Sequence, residues 1–267
     1  MLGNFGINLA STNNKGAMLS PVMNRAQMIE FIDDMLAREQ SDAMPPDIDD
    51  LFSLYRMIRK RRVLATLEYG SGWSTLVIAK ALAENKTANN SSLAETVRHP
   101  NPYMVMSVDA SADFLRVAVN RLVLAGLDNH VVPVLSQVSM TQLDSRVCHL
   151  FDSVPSFTAD FVYLDGPDPK QVQGAVNGFS VAFDYTGSPI NGLPVSADIL
   201  NLEHFFWPGT TVLIDGRGCN ADFIRSNLKR NWKYTYSKKL DQHTFELREK
   251  PWGKFSKALL RHKRLPL

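Results

Sequence analysis

The sequence predicts an α/β protein: a doubly wound, mainly parallel sheet with an antiparallel last strand, preceded by a helical N-terminal extension. Three observations predict it. From residue 63 onward, short apolar runs alternate with helical patterns, which implies right-handed crossovers and parallel pairing. A glycine turn, Gly70-Ser71-Gly72, stands where the first run ends and a helix begins. Two final apolar runs, 232–237 and 244–248, are joined only by the short polar stretch 238–243, so the last strand must fold back antiparallel to its neighbour.

The elements follow in order. Residues 1–19, rich in Gly, Asn and Ser, read as a mobile arm. Ser20-Pro21 has the form of a helix start, a capping serine followed by proline at the first helical position. Val22, Ala26, Ile29 and Met35/Leu36 share one helical face, 42–46 breaks it, and Ile48, Leu51, Tyr55 and Ile58 make a second stripe. Residues 20–61 are therefore expected to form two helices. Strands are expected at 63–68, 104–109, 130–135, 161–165 and 211–215, with helices at 75–84, 112–124, 170–183, 197–206 and 221–230. Ser111 can cap its helix and Gly126 can close it. Two stretches do not fit compact connections: the polar insert 85–102, read as a surface loop, and the Gly/Pro-rich 185–194. A long loop near the strand ends of such a sheet is a place to look for function. The expected division is 1–62, 63–249 and a basic C-terminal tail, 250–267.

Composition excludes several classes. With 267 residues, 45% hydrophobic and 21% charged, the chain suits one large domain with an extension and argues against disorder. Its apolar runs reach about six residues, against the ~18–20 a bilayer span requires. The first residues lack a basic stretch followed by an apolar core, so no secretory signal is expected and a cytoplasmic protein is. Two cysteines, Cys148 and Cys219, are too few for a disulfide scaffold or a cysteine zinc site. A net charge of +2 exerts no global pull on nucleic acid.

The strongest local signal is Glu68-Tyr69-Gly70-Ser71-Gly72-Trp73-Ser74-Thr75. Its glycines permit a tight turn and the close approach of a ligand to the backbone, and the helix that follows presents unpaired N–H groups. The dinucleotide pattern of three glycines is not completed, because Ser74 stands near the third position. Asp109 ends the second strand, where a carboxylate can accept both ribose hydroxyls. It lies beyond the usual ~20 residues after the glycines, a displacement the 85–102 insert accounts for. An acid immediately before the turn, Glu68, suits a cationic or amine-bearing ligand better than a pyrophosphate.

These residues, with Ser107-Val108-Asp109 and Asp160-Phe161-Val162-Tyr163-Leu164-Asp165-Gly166, resemble the motifs of class I S-adenosylmethionine-dependent methyltransferases over roughly residues 63–249. The resemblance implies a methyltransferase-type Rossmann-like fold, a seven-stranded sheet with an antiparallel last strand. It implies S-adenosylmethionine as cofactor, with Glu68, Tyr69, Gly70, Ser71, Gly72 and Ser74 around its methionine part. Asp109 would then meet the ribose, Ser136 and Gln137 the adenine, and Asp165 the reacting end. Trp73 suits packing as well as it suits covering the cofactor.

Asp165-Gly166-Pro167-Asp168 and Asp215-Gly216-Arg217 end the fourth and fifth strands, whose carboxyl ends should open into one crevice. Asp165 and Asp215 are the candidate catalytic acids there. Catechol-type O-methyltransferases, by resemblance, hold Mg2+ at these two positions. Their pattern has Asn after the second Asp, where this chain has Gly216. Arg217 is read either as a clamp for an anionic acceptor or as an ion-pair partner of Asp165 or Asp168. Lys170 is a weaker candidate, and His204 reads as structural.

The expected activity is methylation, with oxygen as acceptor atom, of a small-molecule or glycan-like substrate. The rivals are a nicotinamide-dependent oxidoreductase and a non-catalytic cofactor-binding partner protein. Amino-group methylation of RNA would call for an Asn/Asp-Pro-Pro-aromatic motif that Asp165-Gly166-Pro167-Asp168 does not supply. The basic stretches 59–62 and 250–264 leave a peripheral membrane or partner contact open, with a solvated helix end and tail as the plainer reading.

Overall fold

The computed structural model describes residues 22–39, 45–88, 96–187 and 194–264. Its main sheet has seven strands in the order β3-β2-β1-β6-β8-β10-β9. These are β1 (Ala65–Tyr69), β2 (Met104–Asp109), β3 (Val131–Leu135), β6 (Phe161–Leu164), β8 (Thr211–Asp215), β9 (Trp232–Ser237) and β10 (Gln242–Leu247). Neighbours from β3 through β8 pair in parallel, while β10 runs antiparallel to both β8 and β9. This is the methyltransferase-type Rossmann-like sheet that the resemblance implies. A second sheet joins β4 (Val138–Leu143), β5 (Arg146–Phe151) and the two-residue β7 (Val172–Gln173) in the order β5-β4-β7.

Helices α1 (Arg25–Arg38), α2 (Ile48–Lys60) and α3 (Trp73–Ala88) lie on one face. Helix α1 opens with a capping box between Asn24 and Gln27, and buries Met28, Ile32 and Met35 along one stripe. Helix α2 is capped by Asp47 and buries Leu51, Leu54, Tyr55 and Ile58. The Tyr55 hydroxyl receives the Met23 N–H and donates to Glu84 on α3, which ties the extension to the sheet domain. Helix α4 (Ala112–Ala125) is capped by Ser111 and ends at Gly126 with φ +66, the left-handed position that glycine fills at least cost. The opposite face carries the β4–β5 hairpin, α5 (Asp198–Leu202) and α6 (Gly218–Asn227), packed through Phe151, Phe206, Ile224 and Phe245.

Several expectations need correcting. The first helix begins after Asn24 rather than at Ser20-Pro21, which lies outside the described residues. No helix spans 170–183: a 3-10 turn, Pro169–Gln171, leads into β7 and then a loop. Gly174 and Gly178 both sit at φ +82 there, which an α-helix cannot use. The 197–206 helix shortens to α5 followed by a 3-10 turn. The β4–β5 hairpin was not foreseen; Asp144 and Ser145, both at positive φ, form its turn.

The insert 85–102 is not all surface loop. Asn85 is buried in α3 and donates to the carbonyls of Ile58 and Val63, and Val97 and His99 are buried as well. The 59–62 stretch is no solvated patch either: Arg59 and Arg62 are buried, and Arg59 pairs with Glu84 at 3.1 Å. Within the basic segment 250–267, residues Lys254–Arg264 form helix α7, with Leu259 buried and Lys263 paired to Asp160 at 2.8 Å. Among the described residues no helix is long and apolar enough to cross a membrane.

Candidate active site

Parallel register brings the strand ends together. Tyr69 of β1 lies between Val108 of β2 and Leu164 of β6, and Leu164 lies beside Ile214 of β8. Asp109, Gly70, Asp165 and Asp215 therefore emerge side by side at the carboxyl edge. The backbone ladder continues past the strands, with Gly70 N–H donating to the Val108 carbonyl and Asp165 N–H to that of Tyr69.

Gly70 has φ +94, and a Cβ there would lie 2.7 Å from the backbone nitrogen of Gly166; a Cβ on Gly166 would lie 2.5 Å from the Gly70 Cα. The two loops thus pack backbone to backbone, and both positions need glycine for that reason. Gly72 differs: a Cβ there would meet nothing within 4 Å, so that side of the turn is open. The turn is gripped by Asp109, whose Oδ2 accepts from Ser71 N–H at 2.6 Å and Ser71 Oγ at 2.7 Å, while Oδ1 accepts from Ser111 N–H.

Glu68 is placed behind the turn. It is 0% exposed and accepts hydrogen bonds from the hydroxyls of Ser74, Thr75 and Ser107 at 2.6–2.7 Å. Burial pushes its carboxyl up to about 7, against the opposite pull of those three donors. Tyr69 is also turned inward, stacked on Phe151 with centroids 5.4 Å apart. Trp73 is packed in the core with the Arg121 guanidinium 3.9 Å above its ring. The Ser136 hydroxyl accepts from Ser153 N–H and donates to the Gln137 carbonyl, leaving the exposed Gln137 as the freer side chain at the end of β3.

At the end of β8, Asp215 accepts from the Tyr163 hydroxyl at 2.8 Å and lies 3.4 Å from Gln242 Nε2. Burial raises it to about 6, and the neighbouring Asp165 adds to the rise. Sequence reasoning missed Tyr163, Gln242 and Asp50 here. Asp50 belongs to the first turn of α2, so the extension supplies a wall of the crevice; burial and the Asp215 charge raise it to about 6 as well.

Arg217 makes the ion pair with Asp165 that is one of the two readings of its sequence position. Its Nη2 donates to the carbonyls of Asp165 and Pro167, and its Nε lies 3.7 Å from Asp165 Oδ1. It binds the β6-end loop to the β8-end loop. Lys170 is exposed at a turn, and His204 lies against Phe205, ring centroids 4.0 Å apart, in the 3-10 turn after α5.

A magnesium site does not fit this donor set. Asp165 faces Arg217, Asp215 is engaged by Tyr163, and Gly216 offers no side chain. Among the described residues no group of three or more His, Cys, Asp or Glu could hold a metal ion.

No family model matches the chain, and no curated protein matches it. Among solved structures it is similar to an O-methyltransferase from Bacillus cereus in complex with SAH, at 13% identity over 85% of this chain and 93% of that one, with TM-score 0.45. It is also similar to an SAH-bound methyltransferase from Podospora anserina, at 13% identity, 93% and 100% coverage, and TM-score 0.47. A third is the O-methyltransferase TomG from Streptomyces achromogenes in complex with SAM, at 15% identity, 88% and 94% coverage, and TM-score 0.41. Likenesses this distant show the fold alone.

Proposed function

We propose that this chain is a class I S-adenosylmethionine-dependent methyltransferase that methylates a hydroxyl of a small molecule. The observation that carries the reading is a buried carboxylate, Asp109, gripping Ser71 beside a glycine, Gly72, whose open side faces no protein atom. A carboxylate has about four lone-pair sites, and the three hydrogen bonds to Asp109 leave room for a ribose hydroxyl. Gly70 and Gly72 let the backbone approach the methionine part, with Ser71 between them. Glu68 and Ser74 act from behind by fixing the turn, and Tyr69 by packing beneath it. Ser136, through its backbone, and Gln137 flank the adenine.

Bound S-adenosylmethionine supplies an electrophilic methyl carbon on a sulfonium. Asp165 and Asp215 face that end, and an acid raised to about 6 is ionised near neutral pH while remaining a competent proton acceptor for a hydroxyl. Arg217 keeps the two loops that carry these acids in register. No step requires a metal.

Titration calorimetry tests this. S-adenosylmethionine and SAH should bind with a dissociation constant on the order of micromolar. Gly72→Arg should abolish binding by filling the open side, and Asp109→Ala should weaken it. Tight binding of a nicotinamide dinucleotide in place of both would refute the reading, as would no binding at all.

A further inference from the structure

A cavity of about 230 Å3 opens behind the β6 and β8 ends, on the face covered by the β4–β5 hairpin. Val172, Val181, Val195 and Pro167 make its apolar wall, and His149 and Arg217 its polar one. No carboxylate is among the described residues that line it. Pockets for drug-sized ligands run to ~300–1,000 Å3, so this one suits a single ring.

Several buried polar side chains among the described residues hold an atom without a hydrogen-bond partner, and His149 is the one of them that lines this cavity. It shares its β5 face with Phe151, which stacks on Tyr69 of the main sheet. Its backbone is fully engaged: the N–H donates to the Val195 carbonyl and the C=O accepts from Ala197 N–H. The residue is only 4% exposed, yet its Nδ1 has no hydrogen-bond partner. A buried polar atom left unpaired is costly, and in a native structure it calls for a reason. Burial, with the nearby Arg217 charge, holds this histidine down to about 4. The ring is therefore neutral at pH 7, with one nitrogen to donate and one to accept.

We propose that this cavity, which adjoins Asp215 through Gly216, holds the ring of the acceptor, that His149 hydrogen-bonds a ring hydroxyl other than the one that Asp215 faces, and that the acceptor is a single-ring hydroxy acid whose carboxylate is drawn to Arg217. The apolar wall takes the ring, and Arg217, the one formal charge among the described lining residues, repels amines. The methyltransferase reading is needed only for the reaction that follows binding, and the pocket can be tested without the cofactor. His149 is a recognition and positioning residue in this scheme.

Cys219 supplies the readout, because it lines the cavity and is exposed, whereas Cys148 is buried. The full chain is alkylated with iodoacetamide in the presence of 4-hydroxybenzoate, benzoate or benzylamine. 4-Hydroxybenzoate should protect Cys219 at concentrations about five- to tenfold below benzoate, the worth of one hydrogen bond, and benzylamine should not protect. His149→Phe should make the two acids equal while SAH binding stays unchanged, and His149→Gln should restore part of the preference. Equal protection by both acids in the unaltered protein overturns the proposal even where the variants fail to fold. So does a preference that survives in His149→Phe. Normal SAH binding with no protection sinks the pocket alone. Protection in the predicted order without SAH binding upholds the pocket and sinks the methyltransferase reading.

Discussion

Replacing Glu68 with Gln should stabilise the protein at pH 8 and leave it nearly unchanged at pH 4.5. The carboxyl is fully buried, and burial raises it from 4.5 to about 7 although the hydroxyls of Ser107, Ser74 and Thr75 oppose the shift. A raised value means that the native state holds the proton more tightly than the unfolded chain does. The stability this confers is complete below pH 4.5 and is lost as pH rises through 7. At about 1.4 kcal/mol per unit, the loss approaches about 3 kcal/mol. An amide escapes it: one oxygen still accepts, the nitrogen donates, and the three hydroxyls rotate to suit. In a chain of 267 residues that difference moves the melting temperature by about 6–10 °C. Urea denaturation of both proteins at half-unit steps from pH 4.5 to 8 measures it. Asp198, raised to about 7 by burial, is common to both and cancels in the difference. A gap between variant and parent that does not widen with pH would refute the reasoning. Because Glu68 sits behind the turn, SAH affinity should change little; a large loss would mean that its charge reaches the cofactor.

Gly166→Ala places a Cβ 2.5 Å from the Gly70 Cα, where backbone cannot give way, and should cost about 3 kcal/mol or more in denaturation. Gly72→Ala meets nothing and should leave stability intact while lowering SAH affinity, so the pair separates packing from binding. Lys263→Met leaves the buried Asp160 without its 2.8 Å partner and should cost about 3–5 kcal/mol, much of it recovered in the double variant with Asp160→Asn. Cofactor affinity should be the same in millimolar magnesium and in chelator; a tenfold difference would restore a metal to Asp165 and Asp215.

Strands buried on both faces and ended by an acid were easy to read. The expected 104–109 and 211–215 coincide with β2 and β8; the mostly exposed 232–237, read from its hairpin, coincides with β9, and Ser111 and Gly126 cap α4 as their chemistry suggests. The β4–β5 hairpin had its own local signal, with Val138 and Met140 buried and Ser139 and Thr141 less so on the strand that leads into an Asp-Ser turn. The apolar spacing at 170–183 imitates a helix, and the positive φ of Gly174, Asn177 and Gly178, with the pairing of β7 to β4, defeats it.

The positions of the acids were legible because parallel strands end together. Their use was not, because it depends on partners distant in sequence. Glu68 is consumed by hydroxyls on two elements, Arg217 by carbonyls 50 and 52 residues away, and Asp50 arrives from a helix of the extension. His149 could not be weighed at all while its strand went unseen.

The position of β10 carries a consequence for how the sheet is completed. It follows β9 in the chain but lies between β9 and β8, so β9 has no partner in the main sheet until β10 is in place. Until then β8 is an outer strand, offering its free N–H and C=O groups from Thr211–Asp215, a run whose first four side chains are buried in the finished protein. Such an edge invites pairing with another chain. The hairpin that closes the sheet is also what makes a nascent or partly unfolded copy safe beside its neighbours.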